Sequence, residues 1–110
     1  MDISQAQRGG ATVVTLIGRL DAMSSPDLDR VLASIPDDAR VVLDLAQLTY
    51  ISSAGLRVLV ALARRQGTGA GRVVLCALTP TVRQLLNITG LTGALMTADT
   101  LDDALASVAG

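Results

Sequence analysis

The chain has 110 residues, half of them hydrophobic, which suits one globular domain over residues 1–110 whose core needs no metal or disulfide. It contains no His, Lys or Glu, which excludes histidine nucleophiles and bases, the usual zinc ligand sets and lysine Schiff bases. Its net charge of −1 and its single aromatic residue, Tyr50, argue against a nucleic-acid partner.

The first half of the chain predicts two strands with a helix between them. Along residues 11–20 (ATVVTLIGRL), alternate side chains fall on the two sides of an extended chain, and many of them are β-branched, which indicates a strand. A helix follows, with Ser25 as its N-cap, apolar residues at helical spacing from Leu28 to Ile35, and Pro36 as its end. Residues 40–48 (RVVLDLAQL) form a nearly continuous apolar run, typical of a strand covered on both faces.

A second helix is predicted over residues 53–66, followed by the glycine-rich segment 67–71 (GTGAG) and a strand over 72–78. A phosphate-binding loop follows a strand and opens a helix, whereas this segment follows a helix and leads into a strand. We therefore interpret it as a flexible turn. Cys76 lies inside the apolar strand without a basic neighbour, so we expect a buried core residue rather than a reactive thiol.

Two more helices complete the chain. Thr79 opens one of them, and Thr100 opens the last, with Asp102 and Asp103 in its first turn, where negative charge is favourable. A weaker apolar piece near Leu95 is a candidate edge strand. The alternation of strands and helices predicts an α/β domain with a mixed, mainly parallel sheet and about four helices.

The segment 49–56 (TYISSAGL) is the strongest candidate for a functional site. It lies at the carboxyl end of a buried strand, the edge where open α/β sheets place their functional loops. A purely structural role is also open, because a serine that caps a helix contributes about 1 kcal/mol.

A helical wheel at about 100° per residue separates the two serines of this segment. The inward stripe consists of Leu56, Leu59, Val60 and Ala63, and the outward face of Arg57, Ala61, Arg64 and Arg65. Ser53 projects outward and Ser52 inward. A phosphate on Ser53 would meet free backbone amides, the positive end of the helix dipole and the cationic face.

Several stretches of the chain resemble one family. Residues 41–59 (VVLDLAQLTYISSAGLRVL) closely resemble the signature of STAS domains, in particular the anti-sigma-factor antagonists of bacterial partner-switching systems. Residues 18–28 (GRLDAMSSPDL) resemble the Gly-x-Leu-Asp turn of the family, and residues 81–91 and 100–105 resemble its last two helices. The likeness spans nearly the whole chain and implies a single STAS-type domain.

The resemblance also implies a mechanism in which the chemistry belongs to the partners, so the protein is expected not to be an enzyme and to need no cofactor. In that family, the unphosphorylated antagonist binds an anti-sigma factor and frees a sigma factor. The anti-sigma factor is itself an ATP-dependent serine kinase that phosphorylates the serine at the position of Ser53, and a serine phosphatase reverses the step. The implied partner-binding residues are Asp21, Ser52, Ser53, Ala54, Gly55, Arg57, Ala61 and Arg64.

Two residue roles stay open at this point. Members of the family commonly carry Asp before the acceptor serine, whereas this chain has Ser52, so the resemblance leaves both serines as candidates and the wheel favours Ser53. Asp21 matches the family's loop beside the phosphorylation site, and a plain turn residue is the other interpretation.

Two other functional classes are alternatives to this one. A cytoplasmic STAS subunit that regulates a membrane transporter would have the same fold. The composition does not exclude an enzyme that uses paired Asp residues, but nothing in the spacing of the ten Asp residues points to one. The longest apolar run is far too short to span a membrane, and no charged leader precedes a hydrophobic stretch at Met1, so we expect a cytoplasmic protein without membrane insertion.

Overall fold

The computed structural model describes residues 1–36, 38–67, 72–89 and 95–109 of the chain. Within these ranges the chain forms five strands and four helices. In chain order they are β1 (Asp2–Arg8), β2 (Ala11–Leu20), α1 (Ser25–Ala33), β3 (Arg40–Ile51), α2 (Ser53–Gly67), β4 (Arg72–Cys76), α3 (Pro80–Ile88), β5 (Thr97–Ala98) and α4 (Leu101–Ala109).

The five strands form one sheet in the order β1-β2-β3-β4-β5. The strands from β2 to β5 run parallel to their neighbours, and β1 is antiparallel to β2. The predicted α/β domain with a mixed, mainly parallel sheet is therefore confirmed. The weak apolar piece near Leu95 leads into β5, which is the edge strand.

The sequence analysis missed β1. This strand (DISQAQR) is exposed along nearly its whole length and has no alternating apolar pattern. It forms a hairpin with β2 in which Arg8 pairs with Ala11, and Gly9 and Gly10 occupy the turn with φ of +57° and +82°. A two-residue hairpin turn needs positive φ at both positions, which glycine adopts without strain. The Gly-Gly dipeptide was the available signal for this hairpin.

Strand β3 is the centre of the sheet and is covered on both faces, as predicted. Val41 and Leu43 belong to one hydrophobic cluster and Val42 to the other. The strand extends to Ile51, three residues beyond the predicted end, and Ile51 is itself buried. This extension carries the chain directly to the start of α2.

Helices cover the two faces of the sheet unequally. The larger cluster combines side chains of α1, α2 and α3 with those of the strands, and Leu28, Leu59 and Leu86 are members from the three helices. The smaller cluster lies on the other face, where Ala104 and Val108 of α4 pack on residues that include Val74. Cys76 is fully buried in the smaller cluster, as predicted.

The structure corrects the predicted ends of α1. Its N-cap is Ser24 rather than Ser25, and Ser25 is the first helical residue, with its hydroxyl donating to the Asp21 carbonyl oxygen at 2.5 Å. The helix ends at Ala33, before Pro36. The Ser34 N–H donates to the Val31 carbonyl oxygen, three residues back, which is the pattern of a 3₁₀ turn at a helix end.

The N-caps of the last two helices are as predicted. Thr79 accepts a hydrogen bond from the Val82 N–H, and Thr100 accepts one from the Asp103 N–H. Both threonines therefore satisfy amide groups that the first turn of a helix leaves without an internal partner.

Three side chains of α2 depart from the predicted wheel. Leu62 is buried, although the inward stripe omitted it, and Val60 is only half-buried. Arg65 does not lie on the outward face: it is half-buried, and its guanidinium donates to the Leu32 carbonyl oxygen at 2.7 Å. Helix α2 ends at Gly67, and the remainder of the predicted turn, residues 68–71, lies outside the described residues.

Burial gives Cys76 a pH-dependent effect on stability. Desolvation, with a smaller contribution from the charge of Asp44, raises the pKa of the Cys76 thiol from 9.0 to about 11. The unfolded chain therefore loses this proton at lower pH than the folded one, and the free energy of unfolding should fall as pH rises from about 9 to about 11. Urea unfolding of the parent and of Cys76→Ala at several pH values measures this contribution. Equal pH slopes in the two proteins would contradict it.

Candidate functional site

The first turn of α2 is tied to the end of β2 by main-chain hydrogen bonds. The Ser52 N–H donates to the Leu20 carbonyl oxygen at 2.8 Å, and the Leu56 N–H donates to the Ser52 carbonyl oxygen at 2.9 Å. Both β2 and β3 end here, so the segment lies at the carboxyl edge of the parallel sheet. This is the edge where the sequence analysis placed the functional loop.

The two serines have different environments. The Ser52 hydroxyl accepts a hydrogen bond from the Gly55 N–H at 3.2 Å, so Ser52 is the N-cap of α2. Ser53 is exposed, and its hydroxyl has no hydrogen-bond partner within the described part of the chain. The exposure of Ser53 agrees with its predicted outward projection, whereas Ser52 is half-buried and caps the helix.

Gly55 allows α2 to approach the sheet closely. A Cβ atom at this position would lie 2.6 Å from Leu20 Cγ and 3.2 Å from Ile51 Cγ1. Both neighbours are buried, so a larger side chain would have to displace packed core atoms. The glycine of the Ser-Ser-Ala-Gly segment therefore sets the distance between the site and the end of β2.

A groove of about 360 Å³ opens beside Ser53. Six of its lining residues lie on α2, and the seventh, Thr89, is the C-cap of α3. The lining consists of Ser53, Leu56, Arg57, Val60, Ala61, Arg64 and Thr89. Four residues that the sequence analysis assigned to partner binding, Ser53, Arg57, Ala61 and Arg64, are thus brought together.

The groove combines an apolar floor with a cationic rim. Val60 is half-buried, whereas Arg57 and Arg64 are exposed, and neither arginine forms an ion pair with any residue in the described ranges. The first turn of α2 contains no acidic residue, so its amide groups and dipole also present positive potential. This surface is suited to an acidic or phosphorylated group beside apolar contacts.

Asp21, which directly follows the end of β2, does not line this groove. It lines a separate cleft of about 490 Å³ together with residues that include Arg19, Ser24 and Asp27. Its carboxylate accepts hydrogen bonds from the Met23 and Ser24 N–H groups, each at 3.1 Å. The Ser24 N–H contributes most to lowering the pKa of Asp21. The carboxylate thus organises the loop after β2.

Tyr50 and Arg19 form a contact that the sequence analysis did not anticipate. The two residues are paired across β2 and β3, and the Arg19 guanidinium carbon lies 4.3 Å from the centroid of the Tyr50 ring. This distance is within the range of a cation–π interaction. Only the register between the two strands reveals it, because the two residues are 31 positions apart in sequence.

No group of three His, Cys, Asp or Glu side chains is arranged to hold a metal ion in residues 1–36, 38–67, 72–89 and 95–109. No helix in the same ranges is long and apolar enough to cross a bilayer.

The family model of the STAS domain matches residues 2–104. The chain belongs to the STAS domain family. BtrV of Bordetella bronchiseptica, which carries the name of an anti-sigma factor antagonist, is 35% identical over 109 residues, covering 97% of this chain and 94% of that protein. The domain is therefore a member of the anti-sigma factor antagonist group.

Solved structures agree with this assignment. The crystal structure of an anti-sigma factor antagonist from Mycobacterium paratuberculosis superposes with a TM-score of 0.89 at 29% identity, covering 99% of this chain and 94% of the other. Bacillus SpoIIAA in its phosphorylated form has the same fold, with a TM-score of 0.73 at 22% identity over 97% of this chain and 99% of the other.

The different roles of the two serines predict different costs of substitution. Ser52→Ala removes the cap of α2 and should lower the free energy of unfolding by about 1 kcal/mol. Ser53→Ala removes a free, exposed hydroxyl and should change it by less than about 0.5 kcal/mol. Urea denaturation of the two variants measures both values. An equal loss in both would mean that Ser53 is also part of the cap.

Proposed function

We propose that residues 1–110 act as one binding module, an anti-sigma factor antagonist that switches partners. Its unphosphorylated form binds an anti-sigma factor and so releases a sigma factor, and phosphorylation of Ser53 ends that binding. Membership of the anti-sigma factor antagonist group supports the choice of partner. The partner carries the serine kinase activity, and a serine phosphatase restores the binding form.

One observation carries the proposal: Ser53 is an exposed hydroxyl on the wall of a groove, while the neighbouring Ser52 caps the helix. A kinase can reach Ser53 without unfolding α2, because no hydrogen bond within the described residues holds its hydroxyl. The groove beside it has the apolar floor and arginine rim that a protein partner can contact.

Phosphorylation would change this surface in two opposite ways. Within the free protein, the new charge of roughly −2 lies at a helix N-terminus, where negative charge is favourable. Arg57, four residues further along the helix, lies on the same face and can pair with the phosphate through charge-assisted hydrogen bonds. In a complex, the same charge would be buried against the partner and would lose its hydration. The modification therefore favours the free protein over the complex.

Asp21 lies outside the groove, in the loop that follows β2. Its carboxylate fixes the loop after β2, and the Leu20 carbonyl oxygen just before it binds the Ser52 N–H. We propose that a partner contacts this loop together with Ala54 and the groove. Arg57 and Arg64 would then face an acidic patch on the partner.

Phosphate transfer from ATP tests the proposal directly. The protein is incubated with ATP and an anti-sigma factor with serine kinase activity encoded in the same genome, and the modified residue is located by mass spectrometry. We expect one phosphate on Ser53, its loss in Ser53→Ala, and its retention in the matched variant Ser52→Ala. Full modification of Ser53→Ala at Ser52 would overturn the site assignment. Copurification with a membrane transporter, without phosphate transfer, would favour the transporter subunit instead.

A phosphate mimic separates binding from folding. Ser53→Asp should weaken binding to the anti-sigma factor by at least about tenfold, because an unpaired carboxylate buried in an interface costs more than one kcal/mol. The same substitution should leave the midpoint of thermal unfolding unchanged or slightly raised, because it places a carboxylate at a helix N-terminus. Calorimetric titration and thermal denaturation measure the two effects. A large fall in the unfolding midpoint with unchanged affinity would contradict the switch.

A further inference from the structure

The two edges of the sheet differ in how they meet solvent. The β5 edge is only two residues long, which leaves little room for another strand. The β1 edge is seven residues long, pairs with no strand of the described ranges along its outer side, and contains no Pro, Lys or described bulge. Such an edge presents a row of unpaired N–H and C=O groups that can bind another strand.

The sequence of β1 is complementary to itself when two copies run antiparallel. Only alternate residues of an edge strand direct their N–H and C=O groups outward, so a symmetric pair must match residues whose numbers add to an even total. All seven residues of β1 find a partner when the numbers of opposite residues add to ten. In that register Gln5 faces its own copy, and Asp2 of each chain faces Arg8 of the other.

The charges of this pair are available for such a contact. Asp2 and Arg8 are both exposed, and neither forms an ion pair with another residue in the described part of the chain. Directly opposite residues of an antiparallel pair point to the same face of the sheet, so the carboxylate and the guanidinium would be neighbours. Symmetry forms this contact twice, once at each end of the strand pair.

We propose that the occupant of the β1 edge is a second copy of this chain, which joins two five-stranded sheets into one of ten strands. The two-fold axis passes through the Gln5 pair. Because the pairing is antiparallel, the carboxyl edges of the two parallel sheets point in opposite directions. The two Ser53 grooves therefore lie at opposite ends of the dimer, and the pairing does not depend on the function proposed for them.

Charge reversal provides a sharp test, because the pair can be broken and rebuilt. Asp2→Arg and Arg8→Asp each place like charges opposite each other twice, and each should raise the dimer dissociation constant by at least about tenfold. The double variant should restore the parent value. Asp29→Arg on α1 has the same charge change as Asp2→Arg at an exposed position away from the strand and should have no effect. Sedimentation equilibrium measures all five proteins, and thermal unfolding checks that each is folded.

Mixing the two single variants gives an independent readout. The two basic side chains of one variant would face the two acidic side chains of the other, so native mass spectrometry of an equal mixture should show mainly the heterodimer. A parent protein that stays monomeric up to about 1 mM would overturn the proposal. So would a dimer whose dissociation constant is unchanged in both single variants, or a double variant that stays as weak as the single ones.

Discussion

The contact between Gly55 and Leu20 determines where the site lies. Helix α2 begins immediately after β3, and its first turn rests on the end of β2 at a distance that leaves no room for a Cβ atom on residue 55. The Ser52 N–H is bonded to the Leu20 carbonyl oxygen in the same place, so the main chain and the side chains impose the same position. The start of α2 is therefore attached to β2 and β3, the most extensively paired parallel strands of the sheet.

This attachment separates structure from chemistry in neighbouring residues. Ser52 caps the helix, Gly55 allows its close approach to the sheet, and Leu56 is buried in the core. The side chains of Ser53 and Arg57 are instead exposed and line the groove. The proposed phosphorylation of Ser53 would therefore change the charge of the surface without displacing a packed atom, as a reversible switch on a small domain requires.

Much of the fold and of the candidate site could be predicted from the sequence. Each feature that was predicted wrongly or missed depends on a contact that the periodicity of the sequence does not contain. Elements that bury an apolar stripe were found, and the outward projection of Ser53 followed from helical periodicity alone. Strand β1 was missed because it buries almost nothing, and only its pairing with β2 makes it a strand. Arg65 was misplaced because periodicity cannot show that a long side chain folds back to reach the Leu32 carbonyl oxygen. The separation of Asp21 from the groove likewise depends on how the loop after β2 folds.

Tyr50, the ring that contacts Arg19, determines how this protein can be observed by spectroscopy. Tyr50 is the only aromatic residue in the chain, so the ultraviolet absorption and emission of the aromatic side chains come from one ring, two residues before the cap of α2. A partner that contains tryptophan would therefore emit against almost no background. Its assembly with this domain can be followed by intrinsic fluorescence, without attaching a dye to either protein.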